Sequence, residues 1–117
     1  MRGFTNWQRL TQESVEQHAP DGPAALQVKR VGGLVDYPSG KSAMPWYGYA
    51  SGNAGATLTE HFEDELRQPG TRGYGTLRFR YIPGGQQARE TLMKVWHKFV
   101  SKFGRPPLLN SESTTNE

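Results

Sequence analysis

The clearest pattern of apolar and polar positions lies near the end of the chain, between residues 88 and 110. On a helix of 3.6 residues per turn, the apolar residues of this stretch share one side and its lysines share another. The apolar set is Leu92, Val95, Trp96, Phe99 and Phe103, and the basic set is Lys94, Lys98 and Lys102. Gly104 predicts the end of the helix. Pro106 and Pro107 predict an extended exit that returns residues 108–110 to the body of the protein.

Three upstream segments predict strands. Residues 24–31 alternate between apolar and polar positions, which is typical of a half-buried strand. Residues 44–50 predict a second strand, with Trp46 and Gly48 on one face and Tyr47 and Tyr49 on the other. Residues 76–82 alternate most regularly, so we expect Arg78 and Arg80 to point away from the core.

Two shorter helices complete the prediction. Residues 12–18 follow Thr11, a residue that caps helices well, and predict a short N-terminal helix. Thr57 and Glu60 have the spacing of a capping box, which predicts a helix with Leu58 and Leu66 on its inner face.

The predicted fold class is therefore α+β. We expect a three-stranded antiparallel sheet packed with helices, in the order β-β-α-β-α after a short N-terminal helix. The first two strands should form an antiparallel hairpin. A single domain is predicted over residues 1–110, and residues 111–117 have no apolar side chain, which is typical of a disordered tail. The long connection 32–43 is a candidate functional loop.

Composition and charge narrow the function. The 117 residues contain no cysteine, which excludes disulfides, thiolate catalysis and cysteine-based zinc sites. The absence of cysteine fits a reducing setting, either the cytoplasm, which is the prediction, or the interior of a virion. No apolar run is long enough to cross a bilayer, so no membrane partner is expected.

The charges are distributed unevenly along the chain. Residues 67–105 include nine Lys or Arg and only one acid, Glu90. Such a basic half is typical of phosphate binding. It could equally be a solvated face balanced by the acids of the preceding helix, Glu60, Glu63, Asp64 and Glu65.

Four stretches occur in an order that resembles the GIY-YIG endonuclease domain. They are the segment 20–28 (PDGPAALQV), the tripeptide 46–48 (WYG), the run 58–61 (LTEH) and the ending Pro106-Pro107-x-x-Asn110. The resemblance covers residues 20–110. It implies the β-β-α-β-α fold and a nucleic-acid substrate.

The resemblance also implies where catalytic residues would stand, and most of them are replaced. Leu26 and Trp46 occupy the positions of the two tyrosines that help to activate water, and Thr57 occupies that of a phosphate-neutralising arginine. Leu92 or Trp96 occupies the position of the metal-binding glutamate, and Glu90 is the only acid nearby. For Tyr47 or Tyr49 to replace a missing phenol, the hairpin would have to shift by one residue, which turns side chains to the opposite face. Loss of catalysis is the prediction.

Three functions follow from these observations. The first is nucleic-acid binding without catalysis. Its predicted contact residues are Lys41, Tyr47, Tyr49, Arg78, Arg80, Lys94, Lys98, Lys102 and Arg105. The second is a protein-interaction module that inhibits or adapts a partner protein. The third is a residual Mg²⁺-dependent endonuclease that uses Glu90, Tyr47 and His61, with Glu90 as the metal ligand. No cofactor is expected except Mg²⁺ in that third case. His61 is otherwise expected to be a partly buried histidine beside the acidic face.

Overall fold

The computed structural model describes residues 4–71, 75–107 and 109–110. Within these ranges the strands are β1 (Gln8–Arg9), β2 (Ala24–Val31), β3 (Val35–Tyr37), β4 (Gly40–Ser42), β5 (Trp46–Ala50) and β6 (Thr76–Pro83). The helices are α1 (Gln12–His18), α2 (Ala54–His61), α3 (Glu63–Arg67) and α4 (Gln86–Phe103). The α+β class is confirmed, since the helices accompany antiparallel sheets.

The main sheet has four antiparallel strands in the order β1-β6-β2-β5, so the predicted three-stranded sheet is wrong. The predicted order of elements, β-β-α-β-α after a short helix, is also wrong, because β1 precedes the first helix, β3 and β4 lie within the hairpin connection, and two helices follow β5. The extra strand β1 pairs with the outer edge of β6 and contains only two residues, too few to show an alternating pattern. Backbone hydrogen bonds from Thr5 N–H to the Tyr81 carbonyl and from Leu10 N–H to the Leu77 carbonyl, each 2.9 Å, hold the flanking segment to the same edge.

The predicted hairpin is confirmed, but its connection is structured. β2 and β5 are antiparallel neighbours, with Leu26 opposite Gly48 and Gln27 opposite Tyr47. The connection predicted as loop 32–43 contains a second, two-stranded sheet made by β3 and β4. Its turn packs against the end of α4, where the N–H of Ser39 donates to the Phe103 carbonyl.

Helices cover both faces of the main sheet, and each face contributes apolar strand residues to a core cluster. On one face, α1, α2 and α3 pack on a cluster that includes Leu26, Trp46 and Phe79. On the other face, α4 packs through Leu92 and Phe99 on a cluster that includes strand residues Ala25, Tyr47 and Ile82. The predicted inner face of α4 is confirmed. Tyr47 and Trp46 lie on opposite faces, as the alternation predicted.

Two helix boundaries differ from prediction. α2 begins at Ala54 rather than near Thr57, because the side chain of Asn53 accepts a hydrogen bond from the Ala56 N–H at 2.8 Å and caps the helix. The helical segment breaks at Phe62, where α2 ends and α3 begins. The end of α4 is as predicted: Gly104 adopts a left-handed conformation with φ of 87°.

The segment after α4 returns to the sheet and covers the edge of β5. Asn110 is buried, and its Oδ1 accepts a hydrogen bond from the Tyr47 N–H at 2.8 Å. Its Nδ2 donates to the Tyr47 carbonyl at 2.6 Å. One side-chain amide therefore satisfies both backbone groups of an edge residue, as a neighbouring strand would.

Two predictions fall wholly or partly outside the described residues. The first is the disordered tail 111–117, and the second is the return of residues 108–110 to the body, of which Leu108 is not described. Leu109, which was predicted to return together with Leu108, is buried. Among the described residues, no helix is both long and apolar enough to cross a membrane.

Candidate functional site

Three basic residues stand side by side across the main sheet. Arg9 of β1 is directly opposite Arg78 of β6, and Arg78 is directly opposite Lys29 of β2. Directly paired residues of antiparallel strands point to the same face. That face is the one on which α4 packs, because Arg78 alternates with Leu77 and Phe79, which belong to the opposite cluster. We call Arg9, Arg78 and Lys29 the basic row.

The basic row is electrostatically unfavourable within the folded chain. Like charges directly opposite each other destabilise a sheet. None of the three cations forms an ion pair with an acid in the part of the chain that the structure describes. The Nε of Arg78 is buried and has no hydrogen-bond partner among the described residues. The row therefore leaves positive charge and at least one donor unused by the fold.

A fourth cation and two aromatic rings adjoin the row. The guanidinium carbon of Arg80 lies 4.6 Å from the ring centroid of Phe4 and 4.4 Å from that of Trp7. The ammonium of Lys29 lies 4.6 Å from the Trp7 ring centroid. These are cation–π distances. We call the basic row together with Arg80, Phe4 and Trp7 the basic patch.

One hydrogen bond to a buried side chain positions Arg80. Its Nε donates to Oε1 of Gln27 at 2.7 Å, and Gln27 is buried. Burial lowers the pKa of Arg80, and the neighbouring Tyr47 opposes that shift. Since an arginine pKa starts far above neutrality, Arg80 stays charged at neutral pH. The bond to Gln27 holds the guanidinium beside the two aromatic rings.

Tyr47 belongs to the core rather than to the surface. It is only 5% exposed, and its ring centroid lies 5.5 Å from that of Phe99. Burial raises the pKa of Tyr47 to about 12, with Arg80 acting in the opposite direction and Tyr37 adding to the rise. A phenol of such a pKa remains protonated at neutral pH and is a poor general base. Its burial also removes Tyr47 from the side chains that a bound base can reach. Tyr49, the other predicted stacking residue, is half-buried, and its hydroxyl lies 3.5 Å from the Gly84 carbonyl.

The predicted basic residues of α4 are exposed on the same side of the sheet as the basic patch. Lys94 lines a shallow cleft together with Ile82 and Pro83 of β6. Lys98 and Lys102 follow Lys94 at intervals of four residues along the same flank of α4. The lysines of α4 and the patch together make one basic side of the protein.

The other predicted contact residues lie around this side. Lys41 is part of β4 rather than of an irregular loop, and its Nζ lies 3.6 Å from Oδ1 of Asp36 across the small hairpin. Arg105 follows α4, and its Nε donates to the Pro106 carbonyl at 3.1 Å.

The opposite face of the sheet carries the acidic helix α3. There Glu65 is unexpectedly buried and accepts a hydrogen bond from the Gly70 N–H at 2.7 Å.

The three residues of the predicted residual nuclease do not come together. Glu90 is exposed on α4, where its Oε2 accepts a hydrogen bond from Gln86 at 2.9 Å. His61 lies beneath the other face of the sheet, with its ring 5.2 Å from that of Trp46. Tyr47 lies in the core between α4 and the sheet. Within residues 4–71, 75–107 and 109–110, no group of three acidic or histidine side chains is placed to hold a metal ion.

The positions at which the resemblance implies catalytic groups are occupied by packing residues. Leu26 and Trp46 are buried in one core cluster, and Leu92 is buried in the other. The hydroxyl of Thr57 donates to the Asn53 carbonyl within α2. These side chains supply neither a base nor a phosphate-binding cation.

Sequence reasoning missed four members of the basic patch: Phe4, Trp7, Arg9 and Lys29. The face on which Lys29 lies could be predicted, because alternation along β2 places it on the same face as Ala25 and Gln27. No sequence pattern predicts the positions of Arg9, Phe4 and Trp7, since these depend on the pairing of β1 with β6.

No family model matches this chain, and no curated protein or solved structure matches it significantly. The resemblance to GIY-YIG domains therefore stays a prediction.

Proposed function

We propose that this protein binds nucleic acid through the basic patch, without catalysing its cleavage. The observation that carries the proposal is the basic row, in which Arg9, Arg78 and Lys29 face one another without a described acidic partner. A row that repels itself is stabilised when it binds a polyanion. Phosphate groups supply the negative charge and the hydrogen-bond acceptors that these side chains lack.

The arrangement of charge over the whole surface supports the same function. The lysines of α4 extend the positive side beyond the patch, whereas the acids of α3 lie on the opposite face of the sheet. Such an asymmetric charge distribution orients the protein as it approaches a polyanion. With the four cations of the patch on phosphates, the logarithm of affinity should fall by about 3 for each tenfold rise in salt.

The test is fluorescence anisotropy with labelled oligonucleotides over a series of salt concentrations. Arg78→Glu should weaken binding about tenfold or more, because a hydrogen bond to a charged group contributes about 1.5–3 kcal/mol. Arg67→Glu is the matched control: it makes the same charge change on α3, where Arg67 pairs with Glu63 at 3.3 Å. Equal losses in the two variants would show that only net charge matters. No binding at low salt would refute the proposal.

A second candidate, a protein-interaction module, is favoured by two exposed apolar residues at the end of β2 and in the turn that follows it. Val31 is 38% exposed and Leu34 is 54% exposed, and they lie close together in sequence at the turn into β3. Exposed apolar side chains that form one patch mark contact sites for a protein partner. Replacing both with serine should abolish binding to such a partner and leave oligonucleotide affinity unchanged. The reverse result would favour nucleic-acid binding alone.

A further inference from the structure

We propose that the nucleic acid bound by the basic patch is single-stranded and that one of its bases stacks on Trp7. This inference rests on the proposed function, since it specifies the ligand of the same surface. Three features support it: the position of the indole among the cations, the place of the row beside α4, and the flexible stem of Lys29, one of the two cations that lie over the ring.

The indole of Trp7 lies against two cations of the basic patch. Arg80 and Lys29 both lie within 5 Å of its ring centroid, at 4.4 and 4.6 Å. Trp7 is half-buried, so part of its ring is accessible, in contrast to the buried Trp46 and Tyr47. A base that stacks on Trp7 therefore places its own phosphates within reach of the cations. Stacked aromatic residues beside a basic track are how single strands are bound without sequence preference.

The location of the basic row favours a flexible strand over a rigid duplex. The row crosses three adjacent strands, which are about 4.8 Å apart, so it is about 10 Å wide. α4 packs on β2 and β5 on the same face, so the row lies on the sheet surface beside a helix rather than on a projecting element. A single strand can bend onto such a floor and splay its bases, as on the sheet surfaces of RNA-binding domains. A duplex keeps its bases stacked, so the face of a base is not free to stack on Trp7.

Lys29 is the side chain that makes room for the base. Its ammonium lies over the indole but forms no ion pair with a described acid. Lysine carries its charge on a flexible four-carbon stem. When a base stacks on Trp7, the ammonium moves from the ring to a phosphate. Arg80 stays in place, because Gln27 holds it.

The test compares one labelled oligodeoxynucleotide as a single strand and as the annealed duplex, by anisotropy at low salt. The single strand should bind at least about tenfold more tightly. Trp7→Ala should weaken single-strand binding by about 5- to 150-fold, the factor that corresponds to the loss of one base–aromatic stack. Trp7→Phe retains an aromatic face, so it should retain most of the affinity. Duplex binding should change little in either variant.

Tryptophan fluorescence provides a second measurement that does not depend on the alanine variant being folded. Binding of the single strand should quench the fluorescence of the natural protein, and Trp7→Phe should remove that quenching. Equal or tighter binding of the duplex would overturn the inference, as would a Trp7→Ala variant with unchanged single-strand affinity. If Arg78→Glu still weakens binding in that case, the proposed function stands without the stacking. If neither form binds, the proposed function itself fails.

Discussion

Replacing Asn110 with alanine should destabilise the fold far more than the loss of one short side chain suggests. Asn110 is 5% exposed, and its amide satisfies both the N–H and the carbonyl of Tyr47, at 2.8 and 2.6 Å. Alanine leaves both backbone groups without these partners. A buried polar group left unsatisfied costs about 1–3 kcal/mol. The sum for two groups is about 2–6 kcal/mol. Water that enters at the sheet edge partly satisfies the two groups, so we expect a loss of stability in the lower half of that range.

The assay is urea unfolding followed by circular dichroism. A loss of about 2–4 kcal/mol lowers the midpoint by about 1–2 M when the slope is about 2 kcal/mol per molar urea. Asn53→Ala is the matched control, because it removes an asparagine whose Oδ1 accepts a single backbone N–H at an exposed helix start. It should cost about 1 kcal/mol. If Asn110→Ala costs no more than Asn53→Ala, the role assigned to Asn110 is wrong.

A carboxylate at the same position gives a finer test. Asn110→Asp retains an acceptor for the Tyr47 N–H but faces the Tyr47 carbonyl with a second acceptor. The protonated acid can donate to that carbonyl and the ionised acid cannot, so the folded-state pKa of the new carboxyl should be raised. The stabilisation from protonation is full below the unfolded-state pKa and is lost as the pH rises through the folded-state value. Asn110→Asp should therefore lose stability, relative to the natural protein, as the pH rises through that range. A constant difference would contradict the second hydrogen bond.

Three further changes test the packing. Gly48→Ala should cost about 1–3 kcal/mol in thermal or urea unfolding, because a Cβ there would lie 2.4 Å from the Trp46 ring; an unchanged midpoint would contradict the packing. Gly104→Ala should lower the free energy of unfolding by about 1–2 kcal/mol, because the φ of Gly104 is 87°. Gly52→Ala is the control and should be close to neutral, because no atom lies within 4 Å of the new Cβ. Equal effects of the two substitutions would contradict the strain assigned to Gly104. Ultraviolet titration should show Tyr47 ionising near its raised pKa of about 12. Because this value exceeds the unfolded one, its contribution to stability is full below about pH 10 and is lost as the pH rises toward 12; Tyr47→Phe should remove that step, and an unchanged titration would refute it.

The sequence predicted those parts of the fold that local periodicity determines. The alternation of residues 76–82 fixed which side chains of β6 face inward, and the apolar stripe of α4 fixed its buried face. The end of α4 at Gly104 followed from glycine's freedom in the left-handed region. These features depend on neighbours within a few residues, so they can be inferred from the chain alone.

The site depended on pairing between distant segments. Arg9 and Arg78 are far apart in the sequence, and a shift of one residue in either strand would turn one of them to the opposite face. β1 has only two residues, so its sequence has no periodicity from which a strand could be predicted. Arg78 and Arg80 were predicted as outward-facing, but the row that they join could be seen only once the register was known. The burial of Tyr47 was likewise undecided, because alternation alone cannot tell which face of β5 a helix will cover.

Under the proposed function, the basic row makes salt act in opposite ways on the free protein and on the proposed complex with nucleic acid. In the free protein, added ions screen the repulsion among Arg9, Arg78 and Lys29 and so favour the fold. In the proposed complex, the same ions compete with phosphates for those side chains and favour dissociation. A variant with a neutral residue in the row should therefore gain stability, and under the proposed function it should lose affinity for nucleic acid at the same time.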